Sequence, residues 1–334
     1  MQKNVFQYLA VLAVFLAGLA VSGSLSRSAI DIAIVALWFA YLCQTWNIVG
    51  GLAGQFSFAH PVYVACGGYT STILLQHLQV SPWIGMFAGA LLAMVLAAIL
   101  CWINFRQQLP MLTYALITLA LTIIGVITLH TSSFLGGHEG LFIPKANSPL
   151  TFRFLDRAAY FYIILAAVCL MLLLTIALRA SRIGARLVAI RDNQDAARML
   201  GVDVLRATMA GSTISAGLGA LGGTFYAQYL SVVDPSIAHV ELAVQIVLMT
   251  AVGGIGTVWG PLFGPLALVP MERILSREFV QLAGLGQLFY GVLIIVVLLV
   301  LRDGVVTWAA KRIRQRRMAA LIAESRSREN GATG

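Results

Sequence analysis

A chain of 334 residues that is 60% hydrophobic and only 10% charged is excluded from the soluble globular class, where about a quarter of residues carry charge. Its net charge of +9 would suit a nucleic-acid binder. The cations instead gather on one side of the membrane topology derived below, so no nucleic-acid partner is expected.

Lipid offers the backbone no hydrogen-bond partner, so the spans are helices or a closed barrel, and the apolar runs lack the period-two alternation of barrel strands. Ten segments are long enough to cross ~30 Å of hydrocarbon: 5–22, 29–49, 58–77, 82–104, 109–130, 158–178, 209–230, 240–256, 258–275 and 286–302. The first has Lys3 before it and Val21, Ser22 and Gly23 behind it, imitating a signal peptide. The many spans that follow favour a retained helix. The expected fold class is an all-α integral membrane protein of about ten helices. One polytopic domain covers 1–310 and a basic tail covers 311–334.

Two glycine-rich stretches interrupt the apolar pattern. Gly50, Gly51, Gly54, Gln55, Ser57 and His60 lie between the second and third spans, and Gly253, Gly254 and Gly256 between the eighth and ninth. Irregular backbone at membrane depth survives only where protein or water satisfies it. Paired glycine-broken segments point to a substrate path, and these residues with Gln245 are the candidate path. Tight turns at the membrane surface remain the alternative. A third glycine-rich loop, Gly136, Gly137, His138, Glu139 and Gly140, precedes the sixth span. Asp31, Asn47 and Glu241 are further polar groups within spans. The four cysteines sit in apolar segments without metal-ligand spacing and read as reduced core residues.

Residues 179–208 form a charged island with six Arg, three Asp and no Lys. Ser181 is placed to cap a short helix whose Ile183, Leu187 and Ile190 share a face. Asp192 is placed to cap a second, with Asp195 in its first turn and Gly201 ending it. Two short amphipathic helices suit a docking surface for a cytosolic partner. The alternative is a solvated loop whose arginines only fix orientation. With the island in the cytosol, both termini, Arg106 and the eight basic residues from Arg302 onward are internal as well, which obeys the positive-inside pattern. The run from Lys311 to Arg317 then meets anionic headgroups of the bilayer.

In the seventh span, Gly211, Ser215, Gly219 and Gly223 recur every fourth residue, a groove for close helix packing. Residues 217–222 also spell a dinucleotide-binding fingerprint, but no strand precedes them. None of the three lysines follows glycine as a phosphate-binding loop requires. No catalytic centre, metal site or cofactor is expected.

The segment from Asp195 through Ala196 and Ala197 to Gly201 resembles the Glu-Ala-Ala loop by which permease subunits of ABC importers engage their ATPases, with Asp in place of Glu. More broadly, the chain resembles the permease subunits of branched-chain amino acid ABC importers, in particular the second permease of the pair. The likeness rests on 47–69, on Gly136 to Leu141, on 179–206 and on 253–265, in that order. It implies a ten-helix permease of the bacterial cytoplasmic membrane that pairs with a homologous second permease. Two cytosolic ATP-binding subunits and a soluble substrate-binding protein complete the machine. Arg182, Arg186, Asp192, Asp195, Ala196, Ala197 and Gly201 would form the ATPase-coupling face. His138, Glu139 and Gln245 depart from the family pattern, which leaves urea, amides and aromatic acids beside branched-chain amino acids as cargo. A secondary carrier or channel is the competing class, and it would need no docking island.

Overall fold

The computed structural model describes residues 2–22, 26–107, 110–143 and 151–278, with scattered positions between 291 and 312. Among the described residues the regular structure is helical apart from one short ribbon. Its helices run α1 (Gln2–Ser22), α2 (Arg27–Asn47), α3 (His60–Leu78), α4 (Pro82–Gln107), α5 (Met111–Thr131) and α6 (Arg157–Ala180). Then come α7 (Arg182–Asp192), α8 (Gln194–Met199), α9 (Val204–Leu230), α10 (Val240–Gly253) and α11 (Gly260–Glu278). Nine of the expected spans coincide with helices to within a few residues. Most of the tenth, 286–302, and most of the basic tail lie outside the described residues. Among the described residues, four helical stretches, Arg27–Leu52, Pro82–Gln107, Met111–Thr131 and Arg157–Ala180, are long and apolar enough to cross a membrane.

The molecule is built around α2, which packs against α6, α9, α10 and α11. From Ala36 onward every residue of α2 is buried. Its polar side chains point at backbone carbonyls of its neighbours. Trp38 donates to Gly222 O at 2.9 Å, Tyr41 to Leu218 O at 2.9 Å and Gln44 to Val258 O at 2.8 Å. Hydrogen bonds of this kind fix register between helices in lipid, where apolar contact alone is non-directional. On the outside of the bundle, Phe87, Leu91 and Val95 of α4 and Leu112, Leu116 and Ile123 of α5 are exposed. That is the surface a bilayer covers.

The small-residue groove on α9 is where α3 and α4 lie. A Cβ added at Gly223 would stand 1.9 Å from Val64 O, and one at Gly67 of α3 only 1.7 Å from Ala220 O. Both helices therefore need glycine to come so close, and Thr224 donates to Gly67 O at 2.9 Å in the same contact. At the far end of α9, β2 (Val232–Val233) pairs antiparallel with β1 (Leu141–Phe142) and ties the glycine-rich loop after α5 to the bundle.

Candidate functional site

The island folds into α7 and α8 and continues directly into α9, which begins within its last residues. Ser181 is extended and accepts from Gly184 N at 3.2 Å, so the expected first cap forms. The second is one residue later than expected. Asn193, not Asp192, is extended, and its side-chain oxygen accepts from the amides of Asp195 and Ala196. The physical reason is that a capping residue must leave helical geometry, whereas Asp192 is still the last residue of α7 and turns back to Arg191 at 3.2 Å. Gly201 ends the unit with φ +81°, a left-handed conformation that suits glycine.

Leu187 and Ile190 of α7, Ala197 of α8 and Val204 and Ala207 of α9 form a small core with Leu52 and Ala53. Ala197 thus faces inward at 2% exposure. The outer face of α8 is Ala196, Met199 and Leu200, with Met199 92% and Leu200 84% exposed. Arg182, Arg186, Asp195 and Arg198 are exposed around them. Two large apolar side chains thus stand open on a charged surface, which makes this face a candidate contact surface.

Behind that face the two glycine stretches meet. Residues 48–52 form one buried π-helical turn that continues α2, the kind of distortion that concentrates at functional sites. Asn47, the last residue of α2, donates to Thr257 O at 2.9 Å and accepts from Gly256 N at 2.7 Å. Its amide thereby pins the second turn to the first. Two island arginines close the clamp: Arg191 donates to Gly51 O at 2.9 Å, and Arg179 to Gly256 O at 2.8 Å. Glycine is required here because the chains touch. A Cβ at Gly51 would lie 2.7 Å from Gly256 N, and one at Gly54 (φ +69°) would lie 2.6 Å from Cγ of Arg191.

A family model described as the permease component of the branched-chain amino acid transport system matches residues 28–298, which takes in α2, the clamp and the island. The chain belongs to this permease family. It is 24% identical over 301 residues to the high-affinity branched-chain amino acid transport system permease protein LivM of Escherichia coli (strain K12), covering 83% of this chain and 70% of that protein. Against the corresponding LivH protein of Salmonella typhimurium (strain LT2) it is 24% identical over 285 residues, covering 80% and 90%. No solved structure matches it. The chain is an all-α, multi-pass membrane permease.

The remaining expected positions of this permease do not form one cluster. Gly50, Gly51, Gly253, Gly254 and Gly256 are all buried at the joined turns. Ser57 is buried and accepts from Ala59 N at 3.3 Å. His60 is 1% exposed on α3, with Nε2 3.4 Å from Ser215 Oγ in the α9 groove. Gln55 is half-buried next to the first turn, its Oε1 unpartnered among the described residues, while Gln245 lies apart on α10. In the loop after α5, Gly136, Gly137 and Gly140 have positive φ. They fold it so that the His138 ring lies 4.5 Å from that of His130, whose ring is also 6.0 Å from that of His239. His138 and Glu139 are exposed.

Arg179, Arg191 and the pinning role of Asn47 escape sequence reasoning. Their partners are backbone carbonyls and amides, which look alike at every position of a sequence. The available signal was an amide-bearing residue at the end of an apolar span beside two glycines.

Proposed function

We propose that this permease is the membrane-spanning subunit of an ATP-driven importer for branched-chain amino acids in the bacterial inner membrane. The observation that carries the reading is the clamp. An exposed apolar face at Ala196, Met199 and Leu200 stands on the island whose Arg191 and Arg179 hydrogen-bond the two joined glycine stretches at Gly51 and Gly256. Two cytosolic ATP-binding subunits dock on α7 and α8, and their closure moves these helices as a unit on the core shared with Leu52 and Ala53. Arg191 and Arg179 carry the motion to the turns at the ends of α2 and α10, giving alternating access. The permease has about ten spans with both termini and the island in the cytosol. It is the second permease of its pair, and a soluble binding protein delivers the cargo.

Cargo identity rests on the relatives, whose names state branched-chain amino acid transport. Two amides of the turns are engaged within the protein, Gly256 N by Asn47 and Gln55 N by Val49 O. The turns therefore act as a mechanical joint, and selectivity rests with the binding protein. Uptake of radiolabelled leucine, isoleucine and valine into proteoliposomes holding the complete transporter tests this, with urea as the comparison. ATP-dependent accumulation of the three amino acids is expected. Uptake of urea alone, or leucine uptake independent of ATP, would overturn the reading.

A further inference from the structure

At the ends of α2, α6, α9 and α11 remote from the island lies a cavity of about 860 Å³. Arg153, Arg157, Arg273 and Arg277 line it, and among the described residues Asp31 is its only acidic lining residue. Glu272 adjoins Arg273 on α11 but does not line the cavity. Asp31 is already committed: it pairs with Arg157 and accepts from Tyr229 Oη at 3.0 Å. Arg153 is only 8% exposed, and its Nε has no partner among the described residues. Burial draws its guanidinium down from the ordinary arginine value, although an arginine keeps its proton in proteins. Among the described residues Arg153 meets no carboxylate, and a buried cation without a counter-ion is costly.

The distribution of charge sharpens the point. Only six of the 22 Lys and Arg fall outside the island side of the proposed topology, namely Arg27, Lys145 and the four that line this cavity. Concentrating cations there runs against the positive-inside tendency and calls for an anion. The rest of the lining is amphipathic, with Tyr226 and Tyr229 beside the exposed Leu155 and Ile274. Tyrosine and arginine above apolar side chains at the ends of spanning helices are the residues of the headgroup zone, and the guanidinium fork matches phosphate oxygens.

We propose that this cavity holds the phosphate of an anionic phospholipid, such as phosphatidylglycerol, from the leaflet opposite the island. It rests on the spanning arrangement and not on the cargo, so lipid retention and transport fail independently.

The test is native mass spectrometry of the full chain with its co-purifying subunits, extracted from bilayers of equal phosphatidylglycerol and phosphatidylcholine. Wild type should retain phosphatidylglycerol over phosphatidylcholine, and Arg153→Gln should lower that retention about tenfold, the scale of one charge-assisted hydrogen bond. Asp31→Asn removes the competing carboxylate and should raise retention severalfold, a change of opposite sign that misfolding would not produce. Equal retention of the two lipids by wild type, or no change in either variant, would overturn the proposal. Saturable binding of inorganic phosphate by delipidated protein would overturn it in favour of a free anion. Release of the lipid on adding the soluble binding protein would overturn it in favour of a protein partner.

Discussion

At the residue scale, Asn47 carries more of the architecture than its size suggests. Both halves of its amide are used, one on Thr257 O and one on Gly256 N. Replacing it with leucine keeps the volume but strands a buried donor and a buried acceptor, at about 1–3 kcal/mol each. Asn47→Leu should lower the thermal midpoint of the detergent-purified permease by several degrees and abolish uptake. Wild-type stability in that variant would show that the two turns are not pinned together. Gly54 sits in the same joint, but a test of the substrate path there by Gly54→Leu would be misread. Its φ of +69° and the contact with Arg191 mean that leucine breaks the clamp first.

At the element scale, α7 and α8 are held by different caps than the charge pattern suggests. Asn193→Ala should cost about 1 kcal/mol and speed hydrogen exchange of the α8 amides, while Asp192→Ala should leave them unchanged. Equal effects of the two would restore Asp192 as the cap. Met199→Glu places a charge on an exposed position, so the membrane domain should fold normally while ATP-binding subunits no longer co-purify. Ala197→Trp has a different meaning, because Ala197 is buried against Leu187 and Val204: it should dislodge α8 rather than block a docked partner. How much of this was legible follows from what each element obeys. Apolar spacing placed Leu187 and Ile190 inward, and Gly201 marked the end. The sequence does not distinguish Asp192 from Asn193, since both can cap and only the length of α7 decides. Nor does it say which of two alanines on a six-residue helix faces in, because that depends on how α9 continues the chain.

At the scale of the whole molecule, the apolar runs and the small-residue stripe of α9 predict the bundle well, because lipid leaves few ways to satisfy a backbone. What they do not reveal is that the two glycine stretches meet. That contact joins positions about 200 residues apart through backbone atoms. The proposed orientation has its own check. With the four native cysteines replaced, Ser133→Cys in the loop after α5 should react with an impermeant thiol reagent in intact cells. Arg186→Cys should react only after the membrane is opened, and labelling of it from outside would reverse the topology.

The clamp itself is tested most directly by substrate-stimulated ATP hydrolysis in the reconstituted transporter carrying Arg179→Met and Arg191→Met together. Both substitutions keep most of each side chain's length while removing the bonds to Gly256 O and Gly51 O. ATP-binding subunits should still assemble and hydrolyse ATP at the basal rate, with substrate stimulation and leucine uptake reduced at least tenfold. Stimulation and uptake at wild-type levels would contradict the clamp as the route from the docking face to the membrane.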